Sequence, residues 1–160
     1  MRELKVSLER ARFDSVKRRA ANVNQIANIT INNTVSFNVT TDLNQNGTID
    51  VEETREIDFA GNGVNFVGNN LNYPIIIRFD HHGFVTATNG IGTEITPNFT
   101  ICKNCTVSTI NAGNSHSISV SPTGTVLMTA GGENFQPFEN PTVSTVAVGS
   151  QINQLVSVNP

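Results

Sequence analysis

The chain has 160 residues, of which 38% are hydrophobic and 14% are charged, and its formal net charge at pH 7 is −3. This length is typical of one domain with a substantial core. No stretch approaches the roughly 18–20 consecutive apolar residues of a membrane-spanning helix. The N-terminus also lacks the pattern of a secretory signal peptide. We therefore expect the chain, as written, to be soluble.

The basic residues are concentrated near the N-terminus. Residues 1–19 carry seven basic and three acidic groups, a net charge of +4, whereas the rest carries three basic and ten acidic groups, a net charge of −7. An acidic body has no electrostatic footprint for nucleic acid, so nucleic-acid binding is not expected. The basic segment is typical of a solvated helix face, and contact with phosphate or anionic lipid is the less favoured interpretation.

The first predicted element is an amphipathic helix over residues 2–23. This segment contains no Gly or Pro and is rich in residues that favour helices. Small and apolar side chains recur every three or four residues, at Leu4, Leu8, Ala11 and Ser15, which places them on one face. The sequence therefore predicts a helix with an apolar stripe and a basic outer face.

After Asn24 the sequence changes to short β-branched or alternating runs separated by turn residues such as Asn-Gly and Gly-Gly. The runs occupy residues 26–32, 34–41, 55–60, 63–67, 73–79, 83–88, 99–102, 105–110, 116–121 and 125–130. We therefore predict an α+β fold, in which one N-terminal helix packs on antiparallel β-sheets of about ten short strands. Residues 132–160 are expected to form either a C-terminal strand or a mobile tail.

Two segments share one hairpin pattern. Ile77–Val85 and Ile118–Val126 each place a Gly six positions, and a Val eight positions, after the first residue. Each pattern predicts a strand, a short turn in which Gly takes a positive φ, and a return strand. The repeat occurs once, so it predicts two similar hairpins and not a solenoid.

The segment Asp42–Glu53, DLNQNGTIDVEE, matches the calcium-loop pattern D-x-[DN]-x-[DN]-G-x₅-E of EF-hands at every specified position. It offers the oxygen ligands that Ca²⁺ prefers, with Gly47 at the sharp turn. The candidate ligands are five side chains and the backbone carbonyl of Thr48, namely Asp42, Asn44, Asn46, Thr48, Asp50 and Glu53. Asparagine replaces aspartate at two of these positions, so we expect any Ca²⁺ affinity to be modest.

The sequence on either side of this loop favours strands, whereas an EF-hand has helices there. Residues 34–41 and 55–60 alternate like strands, and Asn46-Gly47 is a strong short hairpin signal. Two hypotheses therefore stay open, a metal-free turn, which the flanking strands favour, and a calcium site. No cofactor is required by the sequence, and Ca²⁺ is the one that it suggests.

Two smaller clusters also have alternative interpretations. Cys102 and Cys105 form a single C-x-x-C unit, so a local disulfide or two unreactive thiols are favoured over a zinc or redox site. His81 and His82 lie at a predicted hairpin tip, where solvated turn residues are favoured over a metal or pH-sensing site. The motifs of serine hydrolases, zinc proteases and P-loops do not occur, so we expect no enzymatic activity.

Five motifs follow one another in a characteristic order: the basic helix SLERARFDSVKRR, the strand and loop FNVTTDLNQNGTIDVEE, the strand GVNF, and the hairpins IIIRFDHHGFV and ISVSPTGTVLM. This order resembles the soluble region of type IV pilin-like proteins of the GspH/FimT group, and the resemblance covers roughly residues 3–130. It implies a pilin-like fold and a structural role. That role would be a minor pseudopilin of type II secretion or a minor type IV pilin, acting in filament assembly or at the tip.

Under this resemblance, residues 1–23 correspond to the C-terminal half of the long pilin helix and residues 24–131 to the globular pilin domain. The family's F-T-L-x-E processing site and hydrophobic half-helix do not occur in this sequence. We therefore expect a truncated chain or a misplaced start, with a membrane anchor upstream. The resemblance implies other pilin subunits as partners through the helix. It also implies a periplasmic domain anchored in the bacterial inner membrane, or an extracellular filament.

Two other functions stay open. One is a calcium-dependent extracellular recognition or adhesion domain, with the Asp42–Glu53 loop as its centre. The other is nucleic-acid binding through the basic helix, as in a DNA-uptake pilin, for which members of this group are expected to use a basic C-terminal motif. After Gly131 the chain has Glu133 and Glu139 but no Lys or Arg, so DNA uptake is disfavoured.

Overall fold

The computed structural model describes residues 2–19, 25–44, 46–67, 71–106, 109–110 and 113–131. Within these residues the chain forms one α-helix and nine β-strands. The predicted α+β class, with one N-terminal helix and antiparallel sheets, is therefore confirmed. The expectation of a strand or a tail at the C-terminus falls on residues 132–160, which lie outside the described residues.

The helix α1 spans Arg2–Arg18. Glu3 lies in its first turn and Lys17 in its last, where the helix dipole favours an acidic and a basic side chain respectively. The helix ends because Arg19 takes a left-handed conformation, with a φ of 53°. The predicted helix extended to residue 23, and residues 20–24 lie outside the described part of the chain. Among the helices of the described residues, none is long and apolar enough to span a bilayer.

The nine strands form two sheets, and every pairing within them is antiparallel. The strands are β1 (Asn28–Ile31), β2 (Ser36–Thr40), β3 (Thr54–Asp58), β4 (Val64–Val67), β5 (Ile75–Phe79), β6 (Val85–Thr88), β7 (Asn98–Lys103), β8 (Ser115–Val120) and β9 (Val126–Ala130). The five-stranded sheet has the order β3-β2-β1-β5-β6, and the four-stranded sheet has the order β4-β7-β8-β9.

One hydrophobic core joins α1 to both sheets. Leu4, Leu8 and Ala11 of the helix are buried, as the predicted stripe requires, and they belong to the same cluster as strand residues such as Ile77 and Ile118. The helix contacts β1, β2 and β5 of the larger sheet and β9 of the smaller one. Full burial of one such aliphatic side chain contributes roughly 1.5–3 kcal/mol. This stripe therefore holds α1 across the two sheets.

The strand predicted over residues 105–110 is wrong for the residues that the structure describes there. Cys105, Thr106, Thr109 and Ile110 lie outside the strands. A disulfide between Cys102 and Cys105 closes a tight turn, and the intervening Asn104 has a φ of 53°. A chain that turns this sharply cannot continue as an extended strand, so the β-branched composition of the segment is overridden by its covalent link.

The two hairpins that share a sequence pattern form as predicted, but they lie in different sheets. The turn between β5 and β6 contains Gly83 with a φ of 83°, and the turn between β8 and β9 contains Gly124 with a φ of 78°. The two turns meet beneath α1, where the backbone N–H of Val85 donates to the carbonyl of Pro122 at 3.0 Å. The side chain of Arg12 in α1 also reaches this point, with its Nε 3.4 Å from the carbonyl oxygen of Gly83.

Candidate calcium-binding loop

The candidate site is the connection between β2 and β3, here called the β2–β3 loop (residues 41–53). The two strands pair with Thr40 opposite Thr54, and the backbone N–H of Thr41 donates to the carbonyl of Glu53 at 3.4 Å. The prediction that strands flank this loop is therefore confirmed. The loop joins two strands of a hairpin, in place of the two helices of an EF-hand.

Asp42, at the first position of the pattern, is almost completely buried, with 4% of its surface exposed. Its Oδ2 accepts a hydrogen bond from the backbone N–H of Gly47 at 2.8 Å and forms an ion pair with Nη1 of Arg18. Its backbone carbonyl accepts a second hydrogen bond from Nη2 of Arg18. Its Oδ1 is also buried, yet it has no hydrogen-bond partner among the residues that the structure describes.

The two asparagines shape the middle of the loop by bonding to the backbone that follows them. Oδ1 of Asn44 accepts from the N–H of Asn46 at 2.9 Å, and Oδ1 of Asn46 accepts from the N–H of Thr48 at 2.8 Å. The side-chain amides of both asparagines donate to Oδ2 of Asp50, at 3.2 Å and 3.0 Å respectively. These are the local bonds that make Asn frequent in turns.

Glu53, at the last position, ties the two ends of the loop together. Its Oε1 accepts from the backbone N–H of Asn44 and its Oε2 from the backbone N–H of Asp50, both at 2.8 Å. These N–H groups stabilise the ionised carboxylate, Asp50 more than Asn44, and they hold the pKa of Glu53 below its usual value of 4.5. Only 5% of Glu53 is exposed, and burial opposes this lowering of its pKa without overcoming it.

The arrangement fits a cation at one point and a metal-free turn elsewhere. Oδ1 of Asp42, which is buried and has no partner among the described residues, suits a cation, because a buried acceptor without a partner is unfavourable. The carboxylates of Glu53 and Asp50, by contrast, are bonded to donors from the loop itself. Within the described part of the chain, no three His, Cys, Asp or Glu side chains are grouped so as to hold a metal ion.

Arg18 belongs to this site, although the calcium-loop pattern does not include it. It lies in the last turn of α1, 24 positions before Asp42, and its side chain is 18% exposed. Asp14, four positions earlier, approaches it at 3.7 Å. Spacing along a helix predicts the contact with Asp14. The contact with Asp42 has no local signal, because it depends on how α1 crosses the sheet.

A cleft of about 330 Å³ opens beside Asp42, between the last turns of α1 and the β2–β3 loop. Its walls include three basic side chains, Arg10, Lys17 and Arg18, together with Asp14 and Asp42. A small ion could therefore approach Asp42 from solvent along the helix. The basic side chains around the cleft would oppose the approach of a cation.

The two smaller clusters have different outcomes. The structure joins Cys102 to Cys105 by a disulfide. His81 and His82 are exposed at the tip of the β5–β6 hairpin, as predicted for solvated turn residues. Oδ1 of Asp80 organises this tip by accepting from the backbone N–H groups of His82 and Phe84, at 2.8 Å and 2.9 Å.

Comparisons of this chain with protein-family models, with curated proteins and with solved structures each returned no match.

Proposed function

We propose that this chain is a structural subunit of a pilin-like filament, of the kind formed by minor pseudopilins of type II secretion or by minor type IV pilins. Two features support the proposal. The order of motifs resembles that of the GspH/FimT group over roughly residues 3–130. The fold also begins with a single long helix, α1, which lies across two antiparallel sheets.

The observation that carries the proposal is a second apolar stripe on α1, on the side that faces away from the core. Val6 and Phe13 are 58% and 63% exposed, and they are seven positions apart. Seven residues make almost two helical turns, so the two side chains lie above one another. The buried stripe, which includes Leu4, Leu8 and Ala11, occupies the opposite side.

A helix with apolar side chains on two opposite sides can pack against its own domain and against a neighbouring helix at once. Seven-residue spacing of apolar side chains is the spacing by which two helices pack along a shared seam. Exposed aromatic and aliphatic groups of this kind favour association, since their removal from water is worth roughly 25 cal/mol per Å². In the proposed filament, the helix of another pilin subunit covers Val6 and Phe13.

The chain would act in the periplasm, anchored in the inner membrane, or in an extracellular filament. Its role would be filament assembly and not catalysis. The β-sheets would then be exposed on the outside of the filament, where they could contact partners or secreted proteins.

The test compares two surface variants in the source organism, with the tagged chain recovered from sheared filaments. The first variant carries Val6→Glu and Phe13→Glu, and we expect its recovery in the filament fraction to fall at least about tenfold, because two buried charges oppose helix packing. The control variant carries Ile91→Glu, at a turn residue that is 73% exposed, and we expect its recovery to be unchanged. The melting temperatures of the purified variants should stay within a few degrees of that of the parent, since surface substitutions change the free energy of unfolding little.

Equal recovery of the two variants and the parent in filaments would contradict an assembly role for this side of α1. Failure to find the parent chain in any filament or envelope fraction would contradict the proposed function as a whole.

A further inference from the structure

We propose that the β2–β3 loop is a Ca²⁺ site. In the metal-free protein the Arg18 guanidinium binds Asp42, and calcium binds by displacing that guanidinium. This inference does not depend on the proposed filament role, since it concerns a metal site within the isolated chain. It joins two observations, the calcium-loop pattern of the sequence and a buried carboxylate that the protein neutralises with a side chain from another element.

The first step is the charge on Asp42. A carboxylate that is 96% removed from solvent requires a positive partner, because burial of an unpaired charge is strongly unfavourable. Arg18 supplies that partner through Oδ2 and through the backbone carbonyl of the same residue. Asp42, the first position of the calcium-loop pattern, therefore already binds a cationic group through two of its oxygen atoms.

Arg18 leaves one oxygen of Asp42 unsatisfied. Oδ1 of Asp42 is buried and has no donor among the described residues, whereas Oδ2 accepts from the N–H of Gly47 and pairs with Nη1 of Arg18. In this arrangement Nη1 of Arg18 pairs with Oδ2 and Nη2 donates to the backbone carbonyl of Asp42, so neither group donates to Oδ1. A cation bound at Oδ1 would satisfy this oxygen while the N–H of Gly47 keeps its bond to Oδ2.

The rest of the loop supplies further oxygen atoms as ligands. Oδ1 of Asn44 accepts one backbone N–H at 2.9 Å, and Oδ1 of Asn46 accepts both the N–H and the hydroxyl of Thr48 at 2.8 Å. The carboxylates of Asp50 and Glu53 complete the set, and each oxygen of Glu53 now accepts one backbone N–H. Hard oxygen atoms in this number suit Ca²⁺, which accepts six to eight of them in flexible geometry. To bind calcium, the amides that now donate to Asp50 must turn away, which frees its carboxylate for the ion.

Arg18 and calcium compete for Asp42. While Arg18 is paired with Asp42, calcium has to displace this charge-assisted contact before it binds its own ligands. This contact lowers the apparent affinity in proportion to its strength. Removal of Arg18 should therefore strengthen calcium binding, which is the opposite of what the loss of a ligand does. Arg10 lines the same cleft without contacting Asp42 in the described structure, so its removal changes only the general electrostatic field.

The experiment is calorimetric titration of the purified, EDTA-treated chain with CaCl₂ up to about 10 mM, the range of weak extracellular sites. We expect Arg18→Gln to bind Ca²⁺ about tenfold more tightly than Arg10→Gln, as the loss of one charge-assisted bond predicts. We expect Asp42→Asn and Glu53→Gln to lose binding. Circular dichroism at 25 °C checks that each variant is folded, and Glu53→Gln keeps the test decisive if Asp42→Asn unfolds.

Three results would overturn the proposal. One is the absence of Ca²⁺ binding in both the parent chain and Arg18→Gln. Another is equal affinity of Arg18→Gln and Arg10→Gln, which would show that Arg18 does not compete at the site. The third is Ca²⁺ binding that persists in folded Asp42→Asn and Glu53→Gln, which would place the ion elsewhere.

Discussion

Two arginines of the helix α1 contact two regions of the protein that are built in different ways. Arg18 contacts the β2–β3 loop, where it neutralises the buried carboxylate of Asp42. Arg12 contacts the two glycine turns, defined here as the β5–β6 turn around Gly83 and the β8–β9 turn around Gly124. The first contact is between charges, whereas the second is between a side chain and a tightly packed backbone.

The difference lies in what each region tolerates. A Cβ atom on Gly124 would lie 2.1 Å from the carbonyl oxygen of Gly83 and 2.6 Å from Nε of Arg12, so the glycine turns leave no room for a side chain. The β2–β3 loop is held by side-chain oxygen atoms, each of which can exchange one donor for another. We infer that the glycine turns fix the position of α1, while the loop has hydrogen bonds that depend on the ionisation of Glu53.

The largest expected loss of stability comes from substitution in the glycine turns. We expect Gly124→Ala to destabilise the protein by about 3 kcal/mol or more, because it adds a backbone clash to the cost of a positive φ. The matched variant is Gly92→Ala, since Gly92 has a φ of 79° but no atom lies within 4 Å of its added Cβ in the described structure. We expect it to cost only about 1–2 kcal/mol. Urea unfolding of both variants measures the difference.

Equal losses of stability in Gly124→Ala and Gly92→Ala would contradict this prediction. The two glycine turns would then owe their effect to backbone conformation alone, and not to the close approach of one turn to the other.

The next largest loss of stability is expected at Arg18, and Arg12 provides the comparison. We expect Arg18→Met to cost about 2–3 kcal/mol, because it leaves the buried charge of Asp42 without its cation. Arg12→Met should cost about 1 kcal/mol, since it removes one long hydrogen bond to a carbonyl, at 3.4 Å. Thermal and urea unfolding at neutral pH test this order. A larger loss for Arg12→Met would mean that packing over the glycine turns outweighs the charge pair.

The smallest expected effect concerns pH. Because the pKa of Glu53 is lowered on folding, its ionised form stabilises the protein above its usual pKa of 4.5. That stability is lost as the pH falls through the lower, folded-state pKa. We therefore expect the difference in melting temperature between the parent and Glu53→Gln to be largest near neutral pH and to shrink below about pH 4.5.

Gly124→Ala is the control for this pH series. Its turn is held by backbone hydrogen bonds and by the Ser121 hydroxyl, which do not involve Glu53. The difference in melting temperature between Gly124→Ala and the parent should therefore not follow the titration of Glu53. A pH-independent gap for Glu53→Gln would contradict the prediction and would mean that its carboxylate is not stabilised by the loop N–H groups.

Much of the fold was predictable because its signals are local. The alternation of Ile75, Ile77 and Phe79 predicts β5, and these three side chains are buried on one face as the period requires. The repeated hairpin pattern correctly predicts the turns at Gly83 and Gly124. The strand predicted over residues 105–110 failed, because the Cys102–Cys105 link bends a segment whose composition favours strand.

The candidate site was predicted only in part. The sequence places the six candidate ligands in one loop and predicts strands on both sides of it, and the structure has that hairpin. Whether those residues bind calcium stays a prediction. Arg18 was missed as a member of the site, because its contact with Asp42 joins two elements that lie 24 positions apart.

The sequence by itself determined the helix stripe, the positions of most strands along the chain and the shape of the turns, because each of these depends on side-chain periodicity or backbone preference over a few residues. Only the tertiary structure decided that β4 leaves β3 and joins β7 in the second sheet. It also decided that the two glycine turns meet at Arg12, and that Arg18 rather than a neighbour in sequence neutralises Asp42. These contacts depend on how the buried face of α1 lies across both sheets, which is a property of the packed core and not of any local segment.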